Sequence, residues 1–454
     1  MQILTTVKIM LIQFKVANFR SFGSEVTLSL EAVKAFKDHA ENVVETNRRR
    51  VLRSAAIYGA NASGKSNLVK AFAFMQQFVL FSAGQNSTVR IPTEPFKLER
   101  SNLKEPSLFE VSILLDEGTY RYGFQVTTEK VVTEWLLFST GPRNKERILF
   151  SREEGKISVS DEYAEGRGHE QETRGNALFL SLMDSRNDAT AGKIVRWYAK
   201  CKILFGKNER EYRLQTNMFT DTSARRYLGD SGAHDRWLNF IRQIDNSIID
   251  VKFSKTDLAK FSDLMRKGEL WPPGYTLSAN GFKVLRQQTH DGKPCGNVEF
   301  DLENEESSGT DKFLGLAVPW LDILENGRVA FVDELEARLH PQLTRRLVQF
   351  FLSPKTNPFN AQLVFVTHDT NLLTYGNLRR DQIWFCEKKR DGATDLYSLA
   401  EIKVRKNAKH EESYIRGRYG AIPFFGDLSM IVNGGDCGQA NQKDRPKKAV
   451  EPSK

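Results

Sequence analysis

Apolar and polar positions alternate along residues 11–18 and again through VTLSLEA at 26–32, the period-two pattern of half-buried strands. SAAIY at 54–58 is different. It is a short apolar run that flows into a glycine turn, which predicts a central strand buried on both faces. The period then changes: Leu68, Phe72, Met75 and Val79 recur at helical spacing within 65–81. FEVSILLDEGTYRYGFQV at 109–126 predicts a hairpin about Asp116, Glu117 and Gly118, and the β-rich texture continues to about residue 138. From 139 to 298 charged turns such as GPRNKER and EGRGHEQETRG dominate. Helix-like pieces occur there near 189–202 and 235–249, with no sustained heptad repeat. Strand and helix alternate again afterwards: helix 311–324, strand RVAFVD at 328–333, a helix near 341–352 and strand QLVFVT at 362–367. The closing QANQKDRPKKAVEPSK at 439–454 is polar, basic and aperiodic, the texture of a disordered tail.

These elements predict an α/β protein with a mixed sheet, an antiparallel β lobe and a mainly helical insertion. The expected divisions are 1–138 with the first half of the α/β head and its β lobe, 139–298 as the insertion, 299–430 as the second half of the head, and 431–454 as the tail. Residues 1–9 read as an upstream extension without structural duties.

Composition adds limits. The 454 residues are 40% hydrophobic and 27% charged, enough apolar chain for a large core. A net charge of +9 suits nucleic acid or an acidic partner, and equally a mildly basic protein with neither. No stretch approaches the roughly 18–20 apolar residues a membrane span needs, so no membrane association is expected. MQILTTVKIMLIQFKV lacks both the long apolar run and the small-residue cleavage site of a signal peptide. Cys201, Cys295, Cys386 and Cys437 are isolated, which predicts no zinc site and no disulfide framework and suits the cytoplasm.

Candidate chemistry begins with GANASGKSN at 59–67. Gly59 and Gly64 bracket four residues, and Lys65 and Ser66 follow, between a strand and a helix. This is the P-loop pattern: glycines let backbone N–H groups converge on phosphate oxygens while the helix N-terminus adds its dipole. Lys65 reaches the β- and γ-phosphates of ATP in such a loop, and Ser66 ligates Mg²⁺. Asn61 and Asn67 belong to the same nucleotide-binding stretch. VAFVDE ends a strand in two acids, placing Asp333 as the second Mg²⁺ ligand and Glu334 as general base for an attacking water. QLVFVTHD ends another strand at His368, which is placed to sense the γ-phosphate. ESSGT at 306–310 offers a second anion-binding helix start at Ser308 and Gly309. An ordinary N-cap, with Ser308 or Thr310 serving first-turn N–H groups, is the alternative.

Together these residues resemble the ABC-type ATPase heads of the SMC, RecF and overcoming-lysogenization-defect group. Lys65 and Ser66 match Walker A, Ser308 and Gly309 the signature, Asp333 and Glu334 Walker B, and His368 the switch histidine. The resemblance implies that Ser308 of one copy touches the γ-phosphate held by another, so a homodimer or higher homo-oligomer is expected. FKVANFRSF, YGANASGKSNL, DELEARLHP, THDTNLL, RRDQIWFCEK and GRYGAIP are similar to bacterial RloA and AbiL-type abortive-infection ATPases, and the ATPase of the PARIS system is similar in kind. That resemblance implies ATP hydrolysis as a sensor and switch in anti-phage defence, with an effector of nuclease type encoded alongside and a phage protein as trigger. No nuclease activity of the chain itself is expected, since no Glu…DxD cluster follows His368. A RecF-like repair ATPase that binds DNA is the alternative. A transporter subunit fits poorly, because the signature lies so far beyond the Walker lysine. Arg20 in NFRSF sits where related heads place an arginine near the nucleotide, and Gln125 is a candidate for the Q-loop glutamine. Arg338 departs from the family's D-loop pattern; Arg418 and Tyr419 either line a partner surface or pack the last strand.

Overall fold

A computed structural model describes residues 9–46, 49–142, 144–205, 231–253, 282–302, 304–375, 377–404 and 408–422. Residues 1–8 of the expected 1–9 extension and the tail at 431–454 lie outside the described residues, whereas Ile9, expected to have no structural duty, packs against the buried core.

Six strands form the central sheet, in the order Lys202–Phe205, Val329–Asp333, Gln362–Val366, Ser54–Gly59, Ile383–Lys388 and Thr394–Ser398. The first five are parallel and the last is antiparallel. Ser54–Gly59 is buried throughout, as its unbroken apolar run predicts for a strand covered on both sides. Ala55 and Ile57 enter one core, and Ala56 and Tyr58 enter the other.

Helix Lys65–Phe81 covers the first face, with Leu68, Phe72, Met75 and Val79 all fully buried. Phe72 stacks on Phe331 of the sheet at 3.9 Å between ring centroids. Helices Ser308–Glu325 and Pro341–Leu352 contribute to the core on the opposite face, where Trp320 Nε1 donates to the Leu347 carbonyl at 3.2 Å.

A seven-stranded antiparallel sheet shares the first core. Its order is Lys156–Val159, Arg147–Glu153, Val131–Ser139, Thr119–Val126, Ser107–Leu114, Met10–Ala17 and Val26–Ser29. Gln362 ties the two sheets together. Its side chain accepts from Leu11 N at 2.6 Å and donates to the Leu11 and Leu52 carbonyls at 2.9 and 3.0 Å. The register of Met10–Ala17 shifts between Leu11 and Gln13, next to this contact.

The antiparallel sheet runs past residue 138 into two further strands. Helices Phe179–Ser185 and Ala189–Lys200 pack on the same core, and Lys202–Phe205 joins the central sheet beside Val329–Asp333. Residues 139–205, read from sequence as the opening of an insertion, are thus built into the head. The described residues from 231 to 301 form helix Ser231–Arg242 and a three-stranded antiparallel sheet of Ile248–Phe253, Phe282–His290 and Lys293–Asp301. No helix among the described residues is long and apolar enough to cross a membrane.

Glu134 explains why the 139–205 segment holds. Its fully buried carboxylate accepts from Phe179 N at 2.8 Å, Leu180 N at 3.0 Å and the Tyr122 hydroxyl at 2.9 Å. It therefore serves the otherwise unpaired first N–H groups of helix Phe179–Ser185. Burial raises its pKa against those donors and the nearby Arg152. Glu134→Ala strands three donors, so it is expected to lower stability by about 3 kcal/mol, measured by urea denaturation, while nucleotide affinity is retained. Unchanged stability contradicts this assignment.

Candidate nucleotide site

Parallel strands align their carboxyl ends along one edge of a sheet, and loops leaving that edge converge there. Here those loops start at Gly59, Asp333 and Val366. The glycine loop occupies a tight space. A Cβ on Gly59 would lie 2.4 Å from the Cys386 carbonyl oxygen. Gly64 has φ +104°, and a Cβ there would lie 2.1 Å from Thr394 Oγ1. Only glycine meets both demands at position 64.

Helix Lys65–Phe81 starts immediately after this loop, so its first N–H groups face the edge. Lys65 is only 6% exposed, and its ammonium donates to the Gly59 and Ala60 carbonyls at 2.8 Å each. Ser66 Oγ donates to Asp333 Oδ1 at 3.0 Å, and Asp333 is buried. Ser63 Oγ is buried with no hydrogen-bond partner among the described residues. An ammonium, a hydroxyl beside a carboxylate and a spare buried hydroxyl, all around one glycine loop, fit a polyphosphate and a hard divalent cation. Lys65 and the loop would hold the phosphates, and Ser66 with Asp333 would hold Mg²⁺ through oxygen donors.

Two residues that sequence reasoning missed hold the loop in place. Thr394 Oγ1 donates to Ser63 O and accepts from Ser21 Oγ, at 2.8 Å each, and Thr394 N donates to Ser21 O at 2.7 Å. Asn67 Nδ2 donates to Ser21 Oγ at 2.8 Å, so this asparagine braces the loop from outside, while Asn61 is exposed on it. Ser21 lies within NFRSF, the segment singled out for Arg20, but the Arg20 guanidinium pairs with Glu94. Thr394 belongs to the antiparallel edge strand and carries no motif.

The acidic turn after Asp333 is contorted, with positive φ at Glu334 (50°) and Arg338 (62°). It is tied to the neighbouring strand end: Leu335 N donates to Val366 O at 3.2 Å, and His368 N donates to Glu336 Oε1 at 2.6 Å. The His368 residue itself is exposed. On the other side stands the serine-led helix. Ser307 is its N-cap, its oxygen accepting from Thr310 N at 3.1 Å, and Ser308 is the exposed first residue. The ordinary capping duty therefore falls on Ser307, not on Ser308 or Thr310. Gly309 packs against the turn, where a Cβ would lie 3.1 Å from the Arg338 carbonyl oxygen. Lys312, 5% exposed, donates to the Ala337 carbonyl at 2.5 Å. Burial pushes its ammonium down to about 8, against the opposing pull of Glu336 and Glu334.

Gly59, Gly64, Lys65, Ser66 and Asp333 thus form one contiguous cluster, Glu334 follows directly, and His368 is joined to it through Glu336. Ser308 and Gly309 reach the assembly through Arg338. Gln125 lies in the antiparallel sheet and accepts from Thr133 Oγ1 at 3.0 Å. Tyr419 packs behind the glycine-loop strand: its ring lies 5.8 Å from Phe385, and its carbonyl accepts from the Tyr397 hydroxyl at 2.7 Å. Tyr419 is thus buried against the last strands, while Arg418 is exposed.

Residues 54–374 match the family described as "AAA domain, putative AbiEii toxin, Type IV TA system". Solved structures with similar folds include an SMC head domain from Thermotoga maritima, 11% identical over 87% of this chain and 99% of that one, with a TM-score of 0.40. An SMC head bound to the C-terminal winged-helix domain of ScpA is 15% identical over 86% and 97%, with a TM-score of 0.44. CbiO1 of Clostridium perfringens, part of the ABC transporter complex CbiONQ, is 12% identical over 86% and 89%, with a TM-score of 0.30. No curated protein matches.

Thr394→Val keeps the volume and removes the hydroxyl that joins Ser63 to Ser21. It is expected to cost about 1–2 kcal/mol and to accelerate hydrogen exchange of the 60–66 amides. Unchanged exchange there means that Thr394 does not hold the loop.

Proposed function

The chain belongs to that AAA-domain family and carries its P-loop ATPase domain, and we propose that it binds and hydrolyses ATP between paired copies of itself, as a switch controlling a separate effector in anti-phage defence. The observation that carries the ATPase reading is the 3.0 Å contact between Ser66 and Asp333, which joins the glycine loop to a strand end far along the chain. The pairing is supported by Ser308, an exposed hydroxyl on an 18-residue helix whose capping is already done by Ser307.

In this reading Lys65 leaves the Gly59 and Ala60 carbonyls for the β- and γ-phosphate oxygens. Mg²⁺, when bound at Ser66 and Asp333, neutralises charge on the phosphates. Glu334 takes a proton from the attacking water as its oxygen bonds to the γ-phosphorus; the bond to the β-phosphate oxygen breaks, leaving ADP and phosphate. His368 hydrogen-bonds the γ-phosphate and registers its departure. Ser308 and the helix N-terminus behind it contact the γ-phosphate held by the other copy.

The defence role rests on the similarity to RloA, AbiL-type and PARIS ATPases, and the family description points the same way. The effector is a nuclease-type protein encoded alongside, and a phage protein is the trigger.

Lys65→Ala is expected to abolish nucleotide binding, read by fluorescent ATP titration. Glu334→Gln keeps that binding and slows hydrolysis by about two to four orders of magnitude; normal turnover in this variant removes Glu334 as the base. Ser308→Arg leaves binding by the single chain intact and blocks ATP-dependent pairing, read by light scattering. For the biological role, plaque counts on a broad phage panel are expected to fall when the intact gene pair is present and to recover with Lys65→Ala. Equal plaquing with and without the pair contradicts the defence reading.

A further inference from the structure

Lys312 is a lysine in the wrong place for a lysine. It lies one turn into the serine-led helix, 5% exposed, where an apolar side chain packs more cheaply. What it meets is the acidic turn. Besides the Ala337 carbonyl at 2.5 Å, its ammonium lies 3.5 Å from the Glu334 and Leu335 carbonyls. Positive φ at Glu334 and Arg338 breaks any regular ladder here. The Glu334 carbonyl also accepts from Ala337 N at 3.1 Å, and Lys312 adds a donor to it and to the Leu335 and Ala337 carbonyls. Glu336 sits within the same turn. One carboxylate oxygen takes the backbone N–H of His368 at 2.6 Å; the other is buried without a hydrogen-bond partner among the described residues, while the carboxylate's charge acts on Lys312. A continuous polar path therefore runs from the helix behind Ser308, through Lys312 and the turn, to Glu336 and the histidine segment.

We propose that Lys312 and Glu336 are positioning residues that lock the serine-led tip and the His368 segment to the acidic turn, so that the half-site offered to a second copy and the half-site kept for the chain's own nucleotide move as one body. The inference rests on the paired-ATPase reading. A γ-phosphate drawn to Ser308 by the other copy pulls on the helix, and the buried ammonium passes that displacement to the turn that carries Glu334. Glu336 passes it to His368. Occupancy of one pocket is thereby felt at the other, and hydrolysis is cooperative.

The test uses the full chain with Lys312→Met, Lys312→Arg and Glu336→Gln, and reads three quantities: ATP affinity of the dilute chain, kcat, and the Hill coefficient for ATP. Lys312→Met is expected to leave affinity within about twofold, to lower kcat about ten- to a hundredfold through misplacement of the catalytic turn, and to reduce the Hill coefficient to about one. Lys312→Arg restores part of both losses, and Glu336→Gln, which keeps an oxygen for His368 N, lies between. A folded Lys312→Met chain with wild-type kcat and Hill coefficient overturns the proposal. So does a parallel loss of affinity, which marks a merely structural role. Should Lys312→Met fail to fold, Glu336→Gln decides by the same criteria. Failure of the underlying reading shows separately: Glu334→Gln then remains a single chain by light scattering at saturating ATP.

Discussion

An ammonium buried at the end of a parallel strand must be surrounded by oxygen, or the chain will not fold around it. Lys65 meets that condition through the Gly59 and Ala60 carbonyls, and the loop can bring those carbonyls close only because glycine stands at both of its ends. The two sheets, the helix that follows and the strand edge at Thr394 all serve to hold this turn. The same geometry that satisfies Lys65 by carbonyls readies it for phosphate. Phosphate oxygens are better partners for an ammonium than neutral carbonyls, because the hydrogen bond becomes charge-assisted on both sides.

Around that turn the chain has gathered two kinds of part. Ser66 and Asp333 are in contact within one chain. The serine-led helix tip is different: it is capped, exposed and fastened to the acidic turn through Gly309 and Lys312. A strained turn with three anchored neighbours has few ways to move, and a displacement at one anchor is felt at the others.

The parts legible in sequence are those written in local period or in a spaced motif. The unbroken apolar run at 54–58 and the helical spacing of Leu68, Phe72, Met75 and Val79 carry their own burial pattern, and the structure follows them. GANASGKS is legible because a phosphate loop tolerates few substitutions for glycine. What stayed hidden lies in contacts between distant segments. Lys202–Phe205 is four residues long, too short for a period to declare itself, and becomes a strand only by pairing with Val329–Asp333. Glu134 caps a helix that starts far downstream. Thr394 braces the glycine loop from an edge strand that carries no motif. Adjacent serines cannot be ranked as cap and first helical residue from composition, so Ser307 took the role expected of Ser308 or Thr310. Lys312 is the sharpest case, since a lysine on a helix reads as solvated until its partners are seen.

The central claim is that Ser308 completes a pocket in a different copy of the chain. Mixing two inactive variants tests it most directly. Lys65→Ala lacks the phosphate lysine but retains its serine-led tip; Ser308→Arg has the reverse defect. If the pocket is shared, each variant alone is inactive, and mixing them rebuilds one intact pocket per mixed pair and restores ATP hydrolysis. No recovery on mixing two folded variants, or full hydrolysis by Ser308→Arg alone at high dilution, contradicts the claim.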